Sequence, residues 1–449
     1  MTRNPLTRHS ASAKLRRTSV RFTGDSMTLT SLSMIDRGLT PDIAVNGSVD
    51  RAAELLELRP GVNELLKLHD RELGVQLPLR RDDGSIAVVQ GYRVQHSGAR
   101  GPYLGGLRFH PRADLHQTRA LASLTTWRSA LHGLPFGGAQ GSLLIDPADF
   151  STTELEALTR RYALAVSHIM GPRLDIAAPD LNTDARVMAW FLDAYGSRHG
   201  HAPGVVAGKP ISLGGVPGGE AAAGRALVYV LEAAARRWGL DLGAQRVAIQ
   251  GFGHVGSWVA RELFVRGVRV VAVGDAGGAV LNERGLDVRE LLRATAAGYS
   301  VADSGAPLQR IAPDELLTLD CDVLIPAATG EVLTAFNVDG VRASIVVEGA
   351  AHPVTPEADA VLDARGVRVI PDLLAGGGAA IAAYAEWAQG VAGVPWDEMR
   401  LATELRGRIE RTFTEVAEFS EEHHCSYRQA AYALAVDRVA AALELRGGL

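Results

Sequence analysis

The sequence predicts an α/β protein of two domains, with a Rossmann-type dinucleotide-binding domain in its C-terminal half. Three observations carry that expectation. A chain of 449 residues, 47% hydrophobic and 22% charged, is long and apolar enough to fill two ordinary cores. The short apolar strand Arg246–Gln250 is followed by the glycine turn Gly251-Phe252-Gly253-His254-Val255-Gly256, a helix over Ser257–Arg266 and a second strand over Val268–Val273. Finally, two glycine pairs, Gly105-Gly106 and Gly137-Gly138, flank a helical segment over Thr118–Leu131. A residue without a side chain lets backbone approach a ligand closely, which makes residues 101–142 the candidate site, with Leu104, Arg128 and Gln140 on one pocket wall.

Composition excludes several classes of partner. A formal net charge of -5 over 449 residues argues against nucleic acid or an anionic membrane. Two cysteines, Cys321 and Cys425, give no disulfide framework and fit a reducing cytoplasm. No apolar run reaches the ~18 residues needed to span a bilayer. Lysine occurs only at Lys14, Lys67 and Lys209.

Residues 1–45 are Ser/Thr-rich and basic, and read as a disordered or non-native arm, with Met27 or Met34 as possible starts. Leucines at helical spacing from Arg51 to Leu73 are interrupted at Pro60-Gly61. Strands over Val75–Leu79 and Ile86–Gln95, joined by Asp82-Asp83-Gly84, form a hairpin; Arg80 and Arg81 read as solvated charge. Ser151-Thr-Thr-Glu154 is a capping box opening a helix through Val166. In Asp175-Ile-Ala-Ala-Pro-Asp180-Leu-Asn-Thr-Asp184, Asn182 or Asp184 could cap a helix over Arg186–Ala194.

A helix over Arg225–Trp238 leads into the glycine turn. There the first glycine permits the tight turn, the second admits a pyrophosphate and the third lets helix and strand pack, while the helix N-terminus offers N–H groups to phosphate. Asp275 ends the second strand, where an acid takes the ribose hydroxyls of NAD and repels a 2′-phosphate. NAD is therefore favoured, with NADP possible. Two helices run from about Glu398 to Leu445. The run Glu421-Glu-His-His-Cys425 imitates a metal cluster, but neighbouring histidines point apart on a helix, so no metal is expected.

Several segments together resemble the glutamate/leucine/phenylalanine/valine dehydrogenase family: Leu104-Gly-Gly-Leu-Arg-Phe-His-Pro111, Thr126-Trp-Arg128, Gly137-Gly-Ala-Gln-Gly-Ser142, Pro179-Asp-Leu-Asn-Thr-Asp184, Gly349-Ala-Ala-His-Pro353 and Pro371-Asp-Leu-Leu-Ala-Gly376. The resemblance covers residues 50–445. It implies a substrate-binding and dimerisation domain over 46–205, completed by helices of 380–449, a doubly wound NAD(P)-binding domain over 206–379, and a homo-oligomer, commonly a hexamer. It implies hydride transfer between nicotinamide and an amino or 2-oxo acid, with Asp180 as catalytic aspartate and Ala327 and Ala351 at the cofactor.

The chain departs from that pattern where the family carries polar groups. Leu104, Arg128 and Gln140 stand where it has lysines, Gln140 replacing the catalytic one. Gly219 and Ala223 replace an arginine and a threonine. Ala351-His352 replaces Asn-Gly, Gly376 an asparagine, and Ala383 the serine that receives a side-chain carboxylate in glutamate-specific members. Leu104 and Ala383, beside Gly105 and Gly106, suit a non-acidic side chain, and Arg128 can still grip an α-carboxylate. Glutamine cannot titrate, and loss of a general acid-base group costs ~10²–10⁴-fold in rate. Three readings stand: a divergent oxidoreductase using Asp180 with Gln140 orienting substrate, a catalytically silent paralogue with a ligand-sensing or assembly role, and ordinary dehydrogenase activity through a recruited group such as His352.

Overall fold

The computed structural model describes residues 40–447 apart from residue 306, so the arm expected over residues 1–39 lies outside the described residues. Helices α1 (Pro41–Leu55) and α2 (Pro60–Leu66) each carry proline in the first turn, where its missing N–H leaves no intrahelical bond unmade. α1 takes in residues 41–45, expected to belong to the arm, because Val45 and Val49 give it an apolar face that is fully buried.

The chain then builds its first sheet from β1 (Arg71–Arg80), β2 (Ile86–Gln95), β3 (Tyr103–Phe109), β4 (Gly137–Leu143) and β5 (Asp175–Pro179). Residues 71–73, expected as helix, are strand because they pair with β2. Helices α3 (Leu115–Leu131), α4 (Thr152–Val166) and α5 (Ala185–His199) connect the strands. Their starts follow local capping chemistry. Asp114 accepts from the Gln117 N–H, Ser151 and Glu154 form the expected reciprocal box, and Asp184 accepts from Arg186 and Val187. The strand order is β1-β2-β4-β3-β5; β2 is antiparallel to both β1 and β4, whereas β4, β3 and β5 run parallel. Central β4 is buried at every position. Arg81 is no solvated charge: its Nε donates to buried Glu154 at 2.9 Å, pinning the hairpin to α4.

Helix α6 (Ala222–Trp238) leads to β6 (Arg246–Gln250), α7 (His254–Val265), β7 (Arg269–Asp275), β8 (Gly278–Leu281), α8 (Val288–Ala296), β9 (Gln309–Ile311), α9 (Pro313–Leu317), β10 (Val323–Pro326), β11 (Ile345–Val347), α10 (Pro356–Ala364) and β12 (Arg368–Ile370). The seven strands lie in the order β12-β11-β10-β6-β7-β8-β9. From β12 to β7 they are parallel, and β8 and β9 add an antiparallel edge. The chain winds outward from β6 to β9, then returns to β10 on the other side of β6. That reversal opens a crevice beyond the carboxyl ends of β6 and β10, the place where such sheets bind ligands.

The chain closes with α11 (Asp372–Ala375), α12 (Gly377–Ala392), α13 (Glu398–His423) and α14 (Tyr427–Leu445). α14 packs on α1 and α3, whereas α12 and α13 pack on α6. The C-terminal helices thus pack against helices of both halves.

Candidate active-site cleft

The residues singled out between Leu104 and Asp180 converge through strand register. β3 and β5 pair in parallel with Leu107 opposite Pro179, so Arg108 comes opposite Asp180 at the strand ends. Arg108 Nε donates to Asp180 Oδ2 at 2.9 Å and Nη2 to Oδ1 at 3.3 Å. From β4, buried Gln140 donates through Nε2 to the same Oδ2 at 2.8 Å. Burial pushes the Asp180 carboxyl up, but the Arg108 charge and hydrogen bonds, the Leu181 N–H and the Gln140 amide hold it below the usual carboxylate value. Arg108 lies in the Leu104–Pro111 motif, and the sequence signal for its place is its alternation on one strand face with Gly106 and Leu104.

The glycine pair serves packing more than ligand access. A Cβ on Gly105 would lie 1.7 Å from the Ala139 carbonyl oxygen, and one on Gly106 would lie 2.7 Å from Asp180 Cβ. Gly105 therefore lets β3 sit against β4, and only Gly106 borders the candidate acid. Leu104 and Ala383 are buried in one apolar cluster, leaving no polar partner for a side-chain carboxylate at either position.

Arg128, on α3, has a partner of its own. It reaches toward α11, with Nη2 3.6 Å from Asp372 Oδ2. Its Nε is buried without a partner among the described residues, beside Gly376, whose added Cβ would lie 3.2 Å away. The cleft thus holds two groups: Arg108–Asp180–Gln140, already internally satisfied, and Arg128–Asp372, with donor capacity left over.

At the crevice the glycine turn fits a dinucleotide. Gly251 has φ +100°, which a side chain disfavours. A Cβ on Gly256 would lie 1.8 Å from the Gly251 carbonyl oxygen, whereas one on Gly253 would meet nothing within 4 Å. The open glycine is the one that should face a pyrophosphate. α7 begins at His254, earlier than Ser257, and no side chain caps it, so its first N–H groups remain available to phosphate. Phe252 is buried and Val255 packs against the core. The Ala327 N–H bonds to the Gln250 carbonyl at 2.6 Å, holding the ends of β10 and β6 together across the crevice.

Two cofactor-side residues carry additional local duties. Asp275 ends β7 as expected, but Oδ1 accepts from Ser300 Oγ at 2.7 Å and from the Gly277 N–H at 2.8 Å, and Oδ2 accepts from the Val301 N–H at 2.7 Å. About one of its roughly four acceptor positions is left for a ribose hydroxyl. Ala351 precedes His352, whose φ of +53° is a left-handed conformation for which glycine is better suited. Burial pushes the His352 imidazole down, so it is neutral. The backbone N–H of His352 donates to Asp372 Oδ2 at 3.1 Å. Among the described residues there is no group of three or more His, Cys, Asp or Glu able to hold a metal, and no helix long and apolar enough to cross a membrane.

A two-domain α/β chain with a dinucleotide crevice and an adjoining acid-bearing cleft is the architecture of an NAD(P)-dependent dehydrogenase. Residues 214–447 match the Glutamate/Leucine/Phenylalanine/Valine dehydrogenase family, and residues 69–197 match its dimerisation domain. The chain is 43% identical over 403 residues to a glutamate dehydrogenase of Thermotoga maritima, covering 89% of this chain and 96% of the relative. It is similar to the crystal structure of a hetero-hexameric glutamate dehydrogenase from Thermus thermophilus in a leucine-bound form, at 40% identity and TM-score 0.86, covering 89% of this chain and 95% of that one. The glutamate dehydrogenase of Peptoniphilus asaccharolyticus matches at 33% identity and TM-score 0.79, covering 92% and 100%. The chain therefore belongs to the Glu/Leu/Phe/Val dehydrogenase family, and NAD(P) is its cofactor class.

Proposed function

We propose that this chain binds NAD and an amino or 2-oxo acid with a non-acidic side chain, but that its cleft transfers protons too slowly for ordinary turnover, so that it serves as a ligand-binding subunit beside an active relative. The observation that carries this reading is the Arg108–Asp180–Gln140 group. At neutral pH Asp180 is a stabilised carboxylate that holds no proton to give, and its basicity is lowered by the charge that pairs with it. Gln140 has no titration, and can only donate or accept a hydrogen bond.

When bound, the nicotinamide supplies the hydride donor or acceptor. Gly251, Gly253 and Gly256 would hold its pyrophosphate, Asp275 its ribose, and Ala327 and Ala351 border its path. Arg128 would take the substrate α-carboxylate with its unused Nε and Nη groups, and Leu104 and Ala383 would receive an apolar side chain. The Thermus thermophilus relative, a hetero-hexamer in a leucine-bound form, supports a role in a mixed assembly. The intact glycine turn keeps a second reading in play: slow dehydrogenation with Asp180 as the only acid-base group.

Titration with NADH, followed by tryptophan fluorescence, tests the binding half. The expected result is NADH binding with negligible turnover of glutamate, leucine, valine or phenylalanine. Gln140→Lys should then raise turnover of a branched-chain amino acid by ~10²–10⁴-fold. Efficient glutamate turnover by the unmodified chain alone would sink the proposal, and measurable leucine or valine turnover abolished by Asp180→Asn would favour the second reading.

A further inference from the structure

Arg93 and Gln140 belong to opposite faces of the first sheet. Arg93 pairs with Gly141 on β4, so it shares the face of that residue, and Gln140, one residue earlier, takes the other. Arg93 is 1% exposed. A guanidinium taken out of water is costly unless its donors are met, and all five N–H groups of Arg93 are used. Nε donates to Asp175 Oδ2 at 2.9 Å, and Nη2 donates to Asp175 Oδ1 and to the Ile176 carbonyl, the latter at 3.3 Å. Nη1 donates to the carbonyls of Gly105 and Gly106, at 3.3 and 3.0 Å. Burial pushes the Arg93 guanidinium down, but the Asp175 charge and hydrogen bonds hold it above its ordinary value, so the pair is ionic.

This side chain crosses two strands. In the order β1-β2-β4-β3-β5, β4 and β3 lie between Arg93 and Asp175, and Gly141 and Gly105 have no side chain to bar the way. The carbonyls that Arg93 takes lie where the β3–β4 ladder lapses. The two strands pair at Tyr103 and Leu104 and again from Leu107, in one register, with Gly105 and Gly106 passed over. By that register Gln140 comes opposite Gly106. A Cβ on Gly106 would lie 2.7 Å from Asp180 Cβ, and Arg108, two residues on, bonds to the same carboxylate. β5 begins at Asp175, held by Arg93, and ends at Pro179, directly before Asp180.

We propose that Arg93 is a positioning residue for the cleft: from the rear face of the sheet it pins Gly105, Gly106 and the start of β5, and so sets Gln140 against Asp180. This role rests on the proposed function, in which Asp180 and Gln140 meet the substrate. Asp175 is the counter-ion that keeps the guanidinium in place. A misplacement of about 1 Å in such a site costs up to ~10²-fold in rate, so the bonds to the two glycine carbonyls matter beyond the stability they add.

Arg93→Lys keeps a charge for Asp175 but brings fewer donors, without the planar fork, and should release the two glycine carbonyls. Gln95→Met is the control, because Gln95 Nε2 donates to the same Asp175 Oδ2, at 2.8 Å, and bonds to neither glycine. In crystals of the full chain, Arg93→Lys should shift the Gly105–Gly106 backbone and break the 2.8 Å bond between Gln140 and Asp180, whereas Gln95→Met should leave both in place. In the Gln140→Lys background, Arg93→Lys should lower kcat for a branched-chain amino acid by ~10-fold or more, with KM and NADH affinity held within ~2-fold. Should Arg93→Lys fail to fold, the neutral pair Arg93→Met, Asp175→Asn, which leaves no lone buried charge, carries the same expectations. An unmoved Gly105–Gly106 backbone would overturn the proposal, as would a moved one with kcat unchanged, or an equal loss of kcat in Arg93→Lys and Gln95→Met. No gain of turnover from Gln140→Lys itself would count against the proposed function, and the crystal structures would still decide whether Arg93 positions the cleft.

Discussion

The dinucleotide crevice and the substrate cleft have been built by the same chain to different degrees of chemical completeness. In the crevice the backbone has the shape a dinucleotide needs: a left-handed Gly251, an open Gly253, a jammed Gly256 and an uncapped α7. In the cleft the backbone register is equally intact, bringing β4 and the ends of β3 and β5 together, but its central carboxylate is satisfied by Arg108 and Gln140. The proposed function makes binding and turnover separable on this scaffold, since the first would rest on main-chain geometry and the second on one titratable side chain. The first half of the molecule also carries two buried neutral imidazoles. His96 and His132 are 0% and 3% exposed, and burial pushes each down to about 3.

Those imidazoles give the largest expected effect. Their folded pKa lies below the unfolded value of 6.5, so the unfolded chain binds the extra protons and folding stability is complete above pH 6.5 and lost as pH falls toward 3. Between pH 7 and pH 5 the two together should remove about 4 kcal/mol, roughly 2 for each. Denaturant unfolding followed at several pH values measures this slope. A double His96→Asn, His132→Asn variant should flatten it, and an unchanged slope in that variant would assign acid lability to other groups.

A change in the crevice comes next in size. Gly253→Asp places a carboxylate where the pyrophosphate should lie. A Cβ there meets nothing within 4 Å, and the residue has an extended φ of -78°, so stability should stay within ~0.5 kcal/mol. NADH affinity should fall by ~100-fold through like-charge repulsion. A variant that binds NADH as well as its parent would show that the dinucleotide does not use this turn.

How much of this was readable in the sequence depends on the range of the interaction. The capping box at Ser151, the cap at Asp184, the hairpin turn at Gly84 and the glycine turn are local, and each sits where residue chemistry puts it. Arg108 and Asp180 are 72 residues apart, and only the β3–β5 register joins them. Nothing local in Gly-Gly-Leu-Arg reveals a carboxylate partner, just as nothing near Asp275 reveals that the backbone of Val301 will occupy it. Gly105 suggests ligand access in the sequence for the same reason: the Ala139 carbonyl that fills the space above it belongs to another strand. The pairing of Arg128 with Asp372 likewise joins α3 to α11, a helix more than 240 residues later.

The smallest effect sharpens the comparison most, because it asks whether the cleft can be returned to the family pattern one residue at a time. Gly376 stands where the family resemblance places asparagine. A Cβ there would lie 2.6 Å from the Asp372 carbonyl oxygen and 3.2 Å from Arg128 Nε, and the first contact is with backbone, which cannot swing aside. Gly376→Asn should therefore cost about 1–2 kcal/mol through overpacking instead of restoring a useful polar group. Removing the neighbouring side chain in the double variant Arg128→Ala, Gly376→Asn should recover only part of that cost, since the clash with Asp372 persists. Thermal unfolding of the single and double variants resolves the two contributions. If Gly376→Asn is neutral or stabilising, α11 retains room for the family residue, and the loss of polar groups in the cleft stopped at the side chains; if it destabilises as expected, the main chain has closed around the loss, and Gln140→Lys alone will recover only part of the turnover.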